Sequence, residues 1–229
     1  MLALLTAQEE APRPFIYSAR GPGESRGVLA IGGRAFAIVP TASGDGPTPP
    51  LPMFDGAYAY GLSDRLALTV DLTTIVLFNS GSLGLQYRLI GGPDSTFSLA
   101  FNASLTGYAA TALVASFAGA GLRPGLVASV GDENVQFSLS LALPIYLVGA
   151  SSVIDDPGNA TSSRPFADLM PNIYATLEFG ALYVQVGVYE AFSFSHEERH
   201  SDPEFPTSMT QYERNFIPAV AFGGRFSSF

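Results

Sequence analysis

The stretch VQFSLSLALPIYL at 135–147 places Val135, Phe137, Leu139, Leu141, Leu143, Ile145 and Leu147 on one parity. Gln136, Ser138, Ser140, Ala142, Pro144 and Tyr146 occupy the other. Successive side chains of a strand point to opposite faces, whereas a helix returns to the same face about every 3.6 residues, so a two-residue period reads as a strand. One face is wholly apolar and the other small or polar, so this strand divides an apolar medium from a polar one.

The pattern recurs along the chain. At 96–106, Phe97, Leu99, Phe101, Ala103 and Leu105 oppose Thr96, Ser98, Ala100, Asn102, Ser104 and Thr106. At 65–78, Leu66, Leu68, Val70, Leu72, Val76 and Phe78 oppose Arg65, Thr69, Asp71 and Thr73. Segments 169–179 and 182–194 alternate in the same way, with Glu190 alone breaking the apolar parity of the latter. Weaker matches lie at 53–62, 82–89, 122–130 and 216–226. The segment 26–39 loses its parity at Gly32-Gly33, which predicts a β-bulge there. With 135–147 these make ten strands. The stretch 108–120, YAATALVASFAGA, is open to three readings: a helical turn in a loop, an insert filling the interior, or the upper part of one long hairpin.

Composition explains where such strands are stable. Only 14% of the 229 residues are charged and the mean hydropathy is +0.26, against roughly 25% charged in an ordinary soluble domain. No stretch is a membrane helix: the longest uncharged run, 95–122, is broken by Asn102, Ser104, Thr106 and several glycines. If hydrocarbon is the solvent, strands must face it. There is no cysteine, hence no disulfide framework and no thiolate metal site. All eleven basic residues are Arg, and the net charge of -9 excludes a nucleic-acid groove, which needs a basic stripe. Residues 1–24 read as a signal remnant or a flexible tail: an apolar MLALLTA is followed by Gln8, Glu9, Glu10 and a Pro- and Gly-rich run. Residues 25–229 form the folded unit.

A soluble β-sandwich also alternates, so the connections decide. Links at one end are tight, at 63–64, 91–95, 131–134 and 180–181. Those at the other end, about 41–52, 79–81, 107–121, 149–166 and 195–215, are mostly long. Short turns on one rim and long loops on the other mark a transmembrane barrel. With that orientation Phe54, Phe78, Phe192, Phe194 and Phe216 fall near the long-loop rim and Tyr60, Phe97, Phe137, Phe179 and Phe226 near the short-turn rim, as two interfacial belts would require. The predicted fold is therefore all-β, a single antiparallel transmembrane β-barrel of about ten strands. Eight or twelve are the alternatives, set by how 108–120 is read.

The segment 60–72, YGLSDRLALTVDL, resembles the strand-turn-strand signature of bacterial outer-membrane β-barrel proteins of a broad transporter- and porin-like class. The final Phe229 resembles their terminal aromatic, although it lies on the opposite parity from Phe222 and Phe226. The resemblance implies a bacterial outer-membrane location and Phe229 as an assembly signal read by the barrel-assembly machinery. It also implies outer-membrane lipid and lipopolysaccharide as surroundings. It assigns no substrate.

Four constellations could carry chemistry. His196-Glu197-Glu198-Arg199-His200 matches the HExxH pattern in which two histidines one helical turn apart hold zinc, yet it sits after a strand and before a polar Ser201-Asp202-Pro203 loop. His196 and His200 are thus weak metal candidates, and a solvated loop is the competing reading. Ser193, Ser195 and Ser201 lie beside these histidines, but adjacency in sequence does not make a triad. The inward parity collects a lumen-charge network of Asp55, Asp71, Asp168 and Glu178 against Arg88, Arg123 and Arg225. It reads either as a solute-selecting constriction or as an ion-pair network that plugs a narrow barrel, the latter favoured because a ten-strand barrel has little spare interior once its side chains are placed. Acidic residues dominate the long loops, where divalent cations or plain solvation are the readings.

The expected function is a small pore or a structural or binding barrel, with no covalent chemistry and no cofactor. A rim-located enzyme hydrolysing lipid or peptide is the rival, and a soluble β-sandwich binding module comes third.

Overall fold

The computed structural model describes residues 15–37, 39–40, 50–75, 78–92, 95–111, 115–153, 168–169, 172–199 and 207–228. Ten strands form one closed antiparallel barrel. We number them β1 (Gly27–Phe36, resuming at Val39–Pro40), β2 (Leu51–Gly61), β3 (Leu66–Ile75), β4 (Phe78–Ile90), β5 (Phe97–Thr111) and β6 (Ala115–Gly131). Then follow β7 (Val135–Ala142 and Ile145–Val153), β8 (Asp168–Leu169 and Asn172–Phe179), β9 (Leu182–Arg199) and β10 (Thr207–Ser228). Each strand pairs with its neighbours in sequence, and β10 returns to β1 from Gly27↔Ser228 to Phe36↔Ala219. Closure leaves no sheet edge, so the ladder satisfies the backbone internally, as hydrocarbon demands.

The alternation in sequence becomes inside and outside. In β7 the residues Val135, Phe137, Leu139 and Leu141 are exposed, while Gln136 and Ser138 are completely buried. The same inversion runs through β8, where Ile173, Leu177 and Phe179 face out and Asn172, Thr176 and Glu178 face in. Large aliphatic and aromatic side chains cover the exterior and polar ones line the interior, the reverse of a soluble protein. Phe54 is exposed at the long-connection end, and Phe97, Phe137, Phe179 and Phe226 are exposed at the short-turn end.

The short turns are made by their own side chains. Asp132 Oδ1 accepts the amides of Asn134 at 2.8 Å and Val135 at 2.9 Å, and Ser63 Oγ accepts those of Arg65 and Leu66. The two backbone bonds hold the exposed Asp132 carboxyl below the usual carboxylate range, that from Val135 being the larger cause.

Several local expectations need correction. No bulge occurs at Gly32-Gly33: β1 keeps one register with both β10 and β2. The parity fades there because Gly32 and its partner Gly223 leave room for the Tyr183 ring. A Cβ on Gly32 would meet the Tyr183 hydroxyl at 2.4 Å and the Phe222 carbonyl at 2.2 Å. Tyr174 lies likewise against Gly187, its cross-strand partner, and Tyr108 against Gly119. The segment 108–120 follows the hairpin reading, since Tyr108↔Gly119 through Thr111↔Ser116 extend the β5–β6 ladder. β7 breaks at Leu143-Pro144, where proline cannot donate to the ladder, and its register then shifts between Tyr146 and Val148, leaving both Leu147 and Val148 exposed. Much of the sequence assigned to long loops is strand: 79–81 lies in β4, and 195–199 pairs with 207–211 between β9 and β10. β10 spans 22 residues where about 9–11 cross a bilayer, so the β9–β10 hairpin, like the β6–β7 pair that reaches Ala115↔Val153, continues beyond the span.

Residues 15–20, which belong to the 1–24 stretch assigned above to a signal remnant or a flexible tail, pack inside the barrel. Phe15, Ile16, Ser18 and Ala19 are all buried. Aromatic and aliphatic side chains at 15–17 have no reason to stay in water when an apolar patch of the interior can take them.

Candidate functional site

The interior is furnished at two levels. At the short-turn level lies the segment Phe15–Arg20. Ile16 joins Val28, Ala30, Ala57, Ala59, Tyr183 and Ala221 in one apolar cluster, and Ala19 joins Ala100 and Val127 in another. These small wall residues at the ends of β1, β2, β5, β6 and β10 create the room that the segment fills. The Tyr17 and Tyr183 rings stack tilted at 5.0 Å between centroids.

The polar contacts of the segment go chiefly to its main chain. Glu178 on β8 accepts the Ile16 amide at 3.0 Å on one carboxylate oxygen and the Tyr17 amide at 3.2 Å on the other. Ser129 Oγ on β6 accepts the Ala19 amide at 2.8 Å. From β4, Gln86 donates to the Ser18 carbonyl at 2.9 Å and Arg88 to the Arg20 carbonyl at 3.1 Å. The Ser18 hydroxyl donates to Gln136 on β7 at 2.9 Å. Arg20 caps the mouth, donating to the carbonyls of Ser95 and, at 2.8 Å, Gly131. Arg225 completes the level: it pairs with Glu178 at 3.4 Å, donates to the Gly180 carbonyl and lies 4.5 Å over the Phe15 ring.

The chain leaves the lumen by a turn. Gly21 and Gly23 have φ of +65° and +80°, and Ser25 has φ of 56°, all in the left-handed region. The turn presses against the end of β2, where a Cβ on Gly61 would sit 1.6 Å from the Gly23 carbonyl oxygen. Ser25 then donates to the Gly61 carbonyl, the Gly61 amide donates to Arg26, and the chain enters β1.

Nearer the long hairpins the charges form a second level along the wall. Arg34 on β1 pairs with Asp55 on β2 at 3.1 Å, donates to Gln185 on β9 at 3.2 Å and lies 5.8 Å from the Tyr174 ring. Thr73 on β3 donates to Asp55, and Gln185 to Thr176 on β8. Farther round, Arg123 on β6 pairs with Asp71 on β3, and it reaches there past Ser104 on β5 and Ser82 on β4, hydrogen-bonding both. Ser82 also donates to Asp71 at 2.7 Å. These bonds link neighbouring strands around the circumference, with the guanidinium of Arg123 laid along the wall.

The lumen-charge residues thus divide in two. Asp55, Asp71 and Arg123 belong to the wall girdle, while Arg88, Glu178 and Arg225 hold the N-terminal segment. The side chain of Asp168 lies outside the described residues. The short-turn end is filled by the 15–20 segment together with the buried Glu178–Arg225 pair. Arg34 and the 15–20 segment are the functional residues that sequence reasoning misses. The first is hidden by the assumed bulge, and the second is signalled only by the apolar FIY in an otherwise polar lead.

The HExxH segment is corrected as well: His196 to Arg199 pair with Thr210 to Thr207 as extended strand, not as a loop, and a strand does not give the one-turn spacing the zinc motif needs. His200 and Phe229 lie outside the described residues.

No family model matches the chain. No curated protein matches it either. Among solved structures, the outer-membrane protease OmpT from Escherichia coli is similar with a TM-score of 0.48 at 10% identity, covering 89% of this chain and 96% of that one. The translocator domain of the autotransporter NalP from Neisseria meningitidis gives 0.41 at 13% identity, covering 89% of each chain. The N-terminal β-barrel domain of OprF from Pseudomonas aeruginosa gives 0.32 at 13%, covering 89% and 99%. The barrel assignment stands on the strand pairing of this chain.

Proposed function

We propose that this chain is a bacterial outer-membrane barrel whose lumen is closed at the periplasmic end by its own residues 15–20, so that it serves as a binding or structural barrel instead of a standing pore. One observation carries the reading: a buried segment bonded to β4, β6, β7 and β8 occupies the end where a solute would have to leave. The wall girdle supports it from the other side. Its charges are already paired, and a selective constriction would aim such groups at a passing ion instead.

The short-turn rim is the periplasmic one in this reading, and the long β9–β10 hairpin rises on the outer side, in the surroundings of lipid and lipopolysaccharide. Planar-bilayer recording of the full chain tests the proposal. A protein that runs as a heat-modifiable folded band is expected to insert without stable single-channel steps; reproducible steps from that preparation overturn it.

A further inference from the structure

We propose that the short-turn mouth of the barrel carries a binding site for a doubly charged oxyanion of the phosphate class, held by Arg88 and Arg65 with Ser63 beside them. The site uses the place at which the 15–20 segment leaves the lumen, and it is independent of whether the barrel conducts.

A cleft at this mouth is lined by the turn from Arg20 to Gly23, by Ser63 to Arg65 in the β2–β3 turn, and by Arg88 of β4. It encloses about 200 Å³ of empty space, the solvent at its opening included. Arg88 is the key group. It is only 4% exposed, yet its one side-chain hydrogen bond among the described residues runs from Nη1 to the neutral carbonyl of Arg20 at 3.1 Å. Its Nε is buried without a partner. In the same lumen Arg34, Arg123 and Arg225 each face a carboxylate, and Arg88 faces none among the described residues. A guanidinium taken out of water with no opposite charge beside it is costly.

The neighbours raise that cost. The β3–β4 ladder pairs Leu66 with Tyr87, and the Arg88 amide then donates to the Arg65 carbonyl at 2.8 Å, so the two arginines stand opposite each other across the strands. Like charges in that position are destabilising. Arg20 adds a third positive charge to the lining, its own donors being spent on the carbonyls of Ser95 and Gly131. Asp64 supplies the one carboxylate of the lining, so three guanidinium groups against it leave two positive charges unbalanced, in a chain whose net charge is -9. Such a conflict with local rules is expected where a ligand completes the site.

The donors suit a tetrahedral dianion. Two guanidinium groups present planar forks to its oxygens, and the Ser63 oxygen already accepts the amides of Arg65 and Leu66, which leaves its hydroxyl proton to donate. A single carboxylate would cancel only half of the excess charge. The buried Ala67, Gln86 and Arg88 in the lining place the cleft on the inner side of the wall, so the anion arrives from the aqueous mouth.

The test titrates inorganic phosphate into the full chain, folded in non-ionic detergent as judged by its heat-modifiable band, and reads binding by calorimetry at about pH 8, where phosphate is mostly dianionic. Saturable one-to-one binding with a Kd below about 1 mM is expected. Arg88→Gln should weaken it at least about tenfold and Arg65→Gln at least about threefold, while Arg26→Gln, exposed outside the cleft, should change it by less than about twofold. In phosphate-free buffer Arg88→Gln should be no less stable to urea than the wild-type chain, and added phosphate should raise the urea midpoint of the wild type alone; a purely structural Arg88 would give a loss in both buffers. Dihexanoyl phosphatidic acid separates the sources: binding at least about tenfold tighter than that of inorganic phosphate assigns a lipid headgroup, and equal or weaker binding assigns a soluble phosphate.

No saturable binding by the folded wild-type chain up to about 20 mM phosphate overturns the site, and so does an affinity unchanged in both Arg88→Gln and Arg65→Gln. Acetate bound as tightly as phosphate overturns the dianion assignment. If Arg88→Gln fails to fold, the exposed Arg65→Gln decides by itself. None of these results alters the bilayer test of closure, so the two readings fail separately.

Discussion

Glu178 holds the 15–20 segment in the lumen, and its removal has a size that follows from its contacts. Its carboxylate is completely buried and takes three donors: the Ile16 amide, the Tyr17 amide and the Arg225 guanidinium. Glu178→Ala leaves all three without that acceptor, and breaking a buried pair from one side costs about 3–5 kcal/mol. Arg225 keeps the Gly180 carbonyl and the Phe15 ring, which puts the expected loss near the lower end, about 3 kcal/mol. Glu178→Gln retains one acceptor oxygen and is expected to lose about 1–2 kcal/mol. The chain has no Trp, so unfolding in urea is followed by far-ultraviolet circular dichroism and by the folded band on unboiled gels. The double variant Glu178→Ala/Arg225→Met removes the orphaned charge as well, and a coupling of at least about 1 kcal/mol relative to additivity is expected. A single Glu178→Ala variant within about 0.5 kcal/mol of the parent protein, or strict additivity in the double, would refute the reasoning.

Three further outcomes are expected. Leu139→Arg, on the exposed face of β7, should destabilise the barrel by about 2–4 kcal/mol in vesicles, whereas Ser140→Ala on the adjacent inner position should shift the urea midpoint little. Gly119→Ala should lose about 1–2 kcal/mol by pushing the Tyr108 ring off the wall, and Tyr108→Ala should abolish that loss, because the three nearest atoms to the added methyl all belong to Tyr108; a loss that persists would place the strain in the backbone. Asp132 has a folded-state carboxyl held below its free value, so its contribution is fully present above about pH 4 and fades as the pH falls through the folded value. The stability difference between the parent protein and Asp132→Ala should therefore be flat from about pH 5 upward and shrink toward pH 2; a difference that grows on acidification would reverse the sign.

The wall of this barrel is legible in the sequence and its contents are not. Alternation at 135–147 and 96–106 is a local property that hydrocarbon and a polar interior impose on every crossing strand, so strand number and facing follow from it. The lumen is different because its contents are set by which strands meet across many residues. Nothing near Glu178 in sequence announces that its partners are the amides of Ile16 and Tyr17, more than 160 positions away. Arg34 escapes for a related reason: Gly32 looks like an interruption of β1 until Tyr183, brought alongside by β10, is seen to occupy the space. The inward charges were readable as a set, but whether they face one another or lie along the wall depends on serines such as Ser82 and Ser104, which carry no signal of their own.

The join between β1 and β10 sets a condition on biogenesis. Its ten rungs, Gly27↔Ser228 to Phe36↔Ala219, unite the two extremes of the folded unit, so the cylinder cannot zip shut until its last strand has been made. Phe15–Arg20 leads into β1 through the Gly21–Ser25 turn, so the segment is tethered beside the seam at which the cylinder closes. A chain truncated within β10 would leave the margins of both β1 and β9 unpaired, a raw edge at the very place where the tether enters the cylinder.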